Sequence, residues 1–190
     1  MNSLEEKQVK LEKEWKDEKE THRGQERKVE KLTQDVKQLR EKVIVNEQYG
    51  RRKGIRILGV TENSNENCHE IIMDLVKNTL HTTLDMDEIT SAHRITSRKQ
   101  PRPIIAHFKT HDKKMEIMRS RKFLKGKRII IVEDLCVELQ QTLINLRKDS
   151  RISQTWSWDS KVYAKTKDGE VVQVNWGEAL EETLFRQAQN

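Results

Sequence analysis

Leu4, Leu11, Leu32 and Leu39 fall at one position of a seven-residue repeat, and Trp15, Val29, Val36 and Val43 fall at another. With the second set at heptad position a and the first at d, Asn46 takes the next d. Apolar residues that recur every 3.5 positions between charged flanks form a seam that a helix buries only against another helix. The spacing therefore predicts an N-terminal parallel coiled coil over residues 1–50. His22 at a, with Glu18 and Gln25 at d and Gly24 beside them, makes the middle of that seam polar. Polar seam residues fix register or oligomer state at a cost in stability.

From Tyr49-Gly50 the period changes. Residues 55–60 (IRILGV) are a short β-prone run closed by a Thr-Glu-Asn-Ser-Asn turn. Asn65 or Asn67 then caps a helix whose apolar residues Ile71, Ile72, Leu75, Val76 and Leu80 recur at helical spacing. Strands follow at 89–95 and 104–108, separated by a basic loop ending in Pro101-Arg102-Pro103. Asp112 is placed to cap a helix through Met115, Ile117 and Met118, and 128–132 (RIIIV) reads as a fourth strand. The order β-α-β-β-α-β predicts a ferredoxin-like RNA-recognition motif over 51–132. Residues 133–190 predict a small α+β domain. It has a helix over 138–148 and strands at 161–165 and 170–174 joined at Asp168-Gly169. A last helix covers 176–185. The expected fold class is α+β, with coil, recognition motif and C-terminal domain in that order.

Charge sharpens this division. Of 190 residues 36% are charged and 34% hydrophobic, with 5% aromatic, more charge than an ordinary globular chain carries. Residues 1–50 hold 12 basic and 12 acidic groups, 51–132 hold 18 and 9, and 133–190 hold 7 and 10. From Arg94 to Arg128 there are 13 basic and 2 acidic groups. A solvated face mixes signs; a one-signed stretch concentrates polyanions, of which nucleic acid is the commonest. No apolar run reaches the roughly 18–20 residues of a membrane span, and the first residues do not read as a signal peptide. Cys68 and Cys136 lie far apart without ligands at metal spacing. His107 and His111 sit on a strand leading into a turn, not on one helical face, and Cys68-His69 has no third partner. No glycine-rich phosphate loop occurs. The expectation is a protein without catalysis, metal or cofactor.

Several strings in order resemble the first-open-reading-frame protein of LINE retrotransposons. They are Arg51-Arg52 followed by Ile55-Arg56-Ile57-Leu58-Gly59-Val60-Thr61-Glu62, then Ala92-His93-Arg94, Pro101-Arg102-Pro103-Ile104-Ile105, Met118-Arg119-Ser120-Arg121-Lys122 and the hairpin 161–174. The resemblance covers nearly the whole chain; a baculovirus family, the few-polyhedra proteins, shares a similar coil and basic fold. It implies a homotrimer that binds single-stranded RNA and DNA and acts as a nucleic-acid chaperone. That protein would package retrotransposon RNA into cytoplasmic ribonucleoprotein granules, with the nucleus as the alternative. The Val/Leu seam alone leans to a dimer, the second choice. The family's trimer signature is matched in part, by Lys28 before Val29 and by Lys42 before Val43 with Glu47 after Asn46, whereas Thr33 follows Leu32.

The candidate binding residues are Arg51, Arg52, Lys53, Arg94, Arg98, Lys99, Arg102, Arg119, Arg121, Lys122, Lys125, Lys127 and Arg128. The resemblance favours Arg94, Arg98, Arg102, Arg119 and Arg121. Arg56, Pro103 and Ile105 stand where recognition motifs place stacking rings, so binding is expected through phosphates and guanidinium stacking. In the C-terminal domain Trp156, Trp158 and Tyr163 interleave with Arg151 and Lys161, with core packing the competing reading for Trp156. Leu139 and Gln140 replace the family's paired arginines, leaving Arg147 and Lys148 as substitutes. The competing functional reading is a coiled-coil adaptor whose basic domain docks on an acidic protein surface.

Overall fold

The computed structural model describes residues 3–98, 100–177 and 183, with residues 3–6 described by backbone alone. Lys99, the Leu4 side chain and most of the helix expected over 176–185 lie outside the described residues. The chain is α+β: a long N-terminal helix precedes helices and two antiparallel sheets. It divides into two compact units, 1–43 and 44–190.

Helix α1 spans Ser3–Arg51, 49 residues without proline. Leu11, Trp15, Val29, Leu32, Val36, Leu39 and Val43 all lie on its surface, between 47% and 65% exposed in the single chain. Ile44 and Gln48, by contrast, are 7% and 6% exposed, and they belong to the second unit. Gln48 reaches across the fold there. Its Nε2 donates to the Asp134 carbonyl at 3.1 Å, and its Oε1 accepts from the Cys136 N–H at 2.9 Å.

The second unit begins with β1 (Gly54–Leu58), α2 (Cys68–Asp74, continued by a π turn Leu75–Thr79), β2 (Ile89–Arg94) and β3 (Ile104–Phe108). It continues with α3 (His111–Ser120), a 3-10 turn (Arg121–Leu124) and β4 (Ile130–Glu133). The four strands form one antiparallel sheet in the order β2-β3-β1-β4. Alternation decides its faces: Ile55, Ile57, Ile104, Ala106, Phe108 and Ile131 point to a core shared with Ile72, Val76, Ile117 and Met118. Each such Ile, Val, Phe or Met side chain contributes about 1.5–3 kcal/mol by leaving water.

Two local details differ from the sequence-based expectation, the end of β1 and the cap of α3, and the cap of α2 is decided between its two candidates. Strand β1 stops at Leu58 because Gly59 takes φ +81, and a Cβ there would meet the Arg128 carbonyl oxygen at 2.2 Å. Asn67 caps α2 by accepting from the His69 N–H, whereas Asn65 sits in the left-handed region. Thr110, not Asp112, caps α3, its hydroxyl accepting from the Lys113 N–H at 3.2 Å; Asp112 lies in the first turn, where a negative charge suits the helix dipole.

Helix α4 (Val137–Lys148) and a three-stranded antiparallel sheet, β5 (Ile152–Trp158), β6 (Lys161–Thr166) and β7 (Val171–Val174), follow in the order β5-β6-β7. Their core contains Leu139, Leu146, Val162, Ala164, Val172 and Val174, joined by Ile44 of α1. Strand β5 was not expected from its sequence. Thr155 and Ser157 face the second core and pair with Ala164 and Val162; Trp156 and Trp158 lie on the opposite side, where Trp158 packs against the first core. The turn to β6 uses Asp159 and Ser160, both at positive φ, without the glycine that usually marks such a hairpin.

Candidate nucleic-acid interface

A cleft of about 720 Å³ lies between the end of α3, the outward side of β4 and the end of β5. Its floor is apolar, with Leu124, Ile129, Ile130 and Val132, and Trp158 stands at one end. Its rim is basic, and local structure explains each placement. Arg119 lies in the last turn of α3, and Arg121 and Lys122 lie on the 3-10 turn. Lys125 and Lys127 flank Gly126, whose φ of +81 allows the reversal between them. Arg121 holds its guanidinium carbon 5.7 Å from the Trp158 ring centroid, and the Lys122 ammonium lies 5.3 Å from that of Phe123. Among the described residues none of these five cations, nor exposed Arg128 beside them, forms an ion pair. Unneutralised like charge of this density costs folding free energy unless a polyanion completes it.

The other sequence candidates are placed differently. Arg94 is turned inward, its side chain 5% exposed. It donates to both oxygens of Glu66 (Nε to Oε1; Nη2 to Oε2, 3.0 Å) and to the carbonyls of Val60, Thr61 and Arg102, five bonds in all. Arg102 grips Glu62 (Nε to Oε1, 2.8 Å). These two arginines therefore staple the β1–α2 loop to the loop after β2, and Arg94 has no hydrogen free to meet a phosphate. Arg51 pairs with Glu47 and Asp134, Arg52 lies over the Tyr49 ring, and Lys53 donates to the Lys109 carbonyl. Arg98 is exposed without an ion pair among the described residues. Arg147 donates to the Thr155 hydroxyl, Lys148 is exposed, Arg151 chelates Asp149, and Lys161 is the cross-strand partner of Trp158. The cleft thus gathers Arg119, Arg121, Lys122, Lys125, Lys127 and Trp158, with Lys161 next to it. Leu139 is buried, and Gln140 donates to the Leu135 carbonyl, so both serve the fold.

Across the first sheet one outward row runs His93, Ile105, Arg56, Val132. No Phe, Tyr or Trp occupies an outward position of its four strands, and Phe108 is 1% exposed in the core. Arg56 is itself tied to Asp134, whose carboxylate, 1% exposed, also receives Arg51. Sequence reasoning missed the aliphatic floor and the acids that occupy Arg94 and Arg102. The signal for the acids was present in Glu62 and Glu66, each within the loop between β1 and α2.

Glu62 and Glu66 are held below the usual carboxylate range, chiefly by hydrogen bonds from Arg102 and Arg94 respectively. A carboxyl depressed on folding contributes stability above its unfolded pKa and loses it as pH falls through the folded one. Arg94→Ala is expected to lower stability by about 2–3 kcal/mol, since five hydrogen-bond acceptors, partly reached by water, lose their donor. It should also shrink the loss of stability on acidification, and leave the salt slope of nucleic-acid binding unchanged. Thermal melts at pH 7 and 4 with a salt titration check this; an unaltered melt with a flatter slope would make Arg94 a phosphate contact instead.

Burial raises the thiol pKa of both Cys68 and Cys136, away from the thiolate state of nucleophilic cysteines. Among the described residues no cluster of three His, Cys, Asp or Glu could hold a metal ion, and no helix is long and apolar enough to cross a membrane. No protein-family model matches the chain, and no curated protein is similar to it.

Proposed function

We propose that the protein is an oligomeric single-strand RNA- and DNA-binding protein with chaperone activity, of the LINE first-open-reading-frame type. The observation that carries this reading is the cleft: cations without carboxylate partners surround an apolar floor that ends in a tryptophan. Such a surface offers phosphates charge and bases a ring or an aliphatic bed, and it reads no particular sequence. The β-α-β-β-α-β order and the strand order β2-β3-β1-β4 support a recognition-motif fold for the part that supplies the cleft. The bare Val/Leu seam of α1 supports a parallel coiled coil, read as a homotrimer with a dimer as second choice. The reading involves no chemical step and places the protein in cytoplasmic ribonucleoprotein granules. The adaptor reading, in which the basic domain docks on an acidic protein surface, draws on the same cations and on the exposed aliphatics Leu58, Ile130 and Val132 beside them.

A salt titration on random single-stranded RNA separates the two. Each phosphate contact adds about 0.7 to the slope of log affinity against log salt for single strands. The quadruple variant R121A/K122A/K125A/K127A should weaken binding to unrelated sequences alike and reduce the slope by about 3. An unchanged slope and affinity would remove the cleft as the binding site. Failure of the native protein to bind any single strand would favour the adaptor.

A further inference from the structure

Trp156 and Tyr163 belong to neither hydrophobic core among the described residues. They are cross-strand partners on β5 and β6, with rings stacked at 5.8 Å between centroids and 14° between planes. Both rings are half-buried, and register extends the pair along one face of the sheet. Trp158, one edge of which packs against the first core, and Lys161 lie on the same face one row along, Gln154 and Lys165 lie one row the other way, and Gln173 of β7 faces Tyr163. The opposite face carries the buried Ser157, Val162, Ala164 and Val172. No acidic residue occupies an outward position of β5 or β6, and Arg147 shares a hollow of about 500 Å³ with Trp156 at the sheet edge. Of the acids nearest in sequence, Asp149 pairs with Arg151 and Asp159 with His111, whereas Asp168 and Glu170 lie in the β6–β7 turn, at the end of the sheet away from Trp158. At its Trp158 end this face runs into the basic cleft.

We propose that the outward face of the second sheet is a base-stacking platform, on which Trp156 and Tyr163 take unstacked bases of the strand that leaves the cleft past Trp158. This rests on the single-strand reading above. Spacing argues for a single strand over a duplex. Alternate residues of a strand stand about 6.6–6.8 Å apart, twice the about 3.4 Å rise between stacked bases. Bases engaging Trp158 and Trp156 in turn must therefore be parted from each other, which a paired helix resists and a single strand allows. Lys161 and Lys165 flank the rings as phosphate partners, the arrangement of sequence-tolerant single-strand binders. The platform also supplies the aromatic surface that the first sheet lacks. Holding bases apart would keep a strand open for re-pairing, which is the physical step a chaperone needs.

The test uses the full chain with labelled random 30-nucleotide RNA and the matching duplex. W156T/Y163T should weaken single-strand binding by at least about 30-fold with the salt slope unchanged, because rings and not cations are removed. W156F/Y163F, which keeps two stackable rings, should retain most of the affinity. K161Q/K165Q preserves the aromatic pair and should lower the slope by about 1.4, so it reports on this face independently of any folding defect. Duplex binding should respond to none of the ring variants. Native-like single-strand affinity in W156T/Y163T would overturn the platform while leaving the cleft and the single-strand reading intact. So would an equal loss on duplex, or dissociation of the oligomer with RNA affinity preserved. A native chain that binds no single strand would instead overturn the underlying reading.

Discussion

A chain lacking residues 1–43 is expected to be a folded monomer that binds single-stranded RNA about 10²–10⁴-fold more weakly than the full protein. Two observations set both the cut and the size. Val29, Leu32, Val36, Leu39 and Val43 are 47–64% exposed, a seam with nothing on it in one chain, whereas Ile44 and Gln48 are buried in the second unit. If the seam joins several chains, each copy brings one sequence-tolerant cleft, and every contact after the first becomes intramolecular. Contacts that are weak singly then exchange quickly while the assembly stays bound, so strands melt at mismatches and re-pair without nucleotide hydrolysis. Light scattering should report the monomer, and exchange of mismatched for matched oligonucleotides should slow at equal protomer concentration. Persistence of the full stoichiometry would sink the seam. Cutting at residue 48 instead should give a less stable product. It strips Ile44 from the core, worth about 1.5–3 kcal/mol. It also orphans the Asp134 carbonyl and the Cys136 N–H, at about 1–3 kcal/mol each.

The largest stability effect of a single substitution is expected at Lys114. Its ammonium, on α3, pairs with Glu133 of β4, and the two side chains are 1% and 2% exposed. Glu133 Oε1 also accepts from the Ser160 N–H at 3.1 Å, two residues after Trp158. The pair therefore ties the first sheet to the turn that sets the end of the cleft. Lys114→Ala leaves a carboxylate buried without its cation, at a cost of about 3–5 kcal/mol. For a unit of this size the thermal midpoint should fall by about 6–20 °C. Nucleic-acid affinity should fall with it as the Ser160 turn loosens. Removing both charges while keeping an acceptor for Ser160, as in K114M/E133Q, should recover at least half of the loss. Calorimetry of the three proteins decides: a single variant as stable as the parent would mean that water reaches the site and solvates Glu133.

The one-signed stretch from Arg94 to Arg128 misled in an instructive way. Charge sign can be counted along a chain, yet pairing depends on which acid the fold brings within 3 Å. Arg94 and Arg102 look like Arg119 and Arg121 in sequence. Folding gives the first two to Glu66 and Glu62, more than 25 residues earlier, and leaves the others unpaired at the cleft.

What the sequence determined alone was whatever depends on local period and local chemistry. The heptad spacing specified α1, and the order of apolar runs specified β1 to β4 with the helices between them. The Asp168-Gly169 turn specified the β6–β7 hairpin. These follow because a side chain's face is fixed by its spacing from neighbours a few residues away. Only the tertiary structure decided the rest. Ile44 and Gln48 continue a helix whose preceding residues are exposed, and nothing local distinguishes their burial; it arises from Asp134 and Cys136, over eighty residues distant. Strand β5 turns Trp156 and Trp158 away from the second core, Trp158 packing against the first core instead, because its other face packs as Thr155 and Ser157 against Ala164 and Val162. An alternating strand has two faces, and which one meets the core is settled by the elements that arrive to cover it.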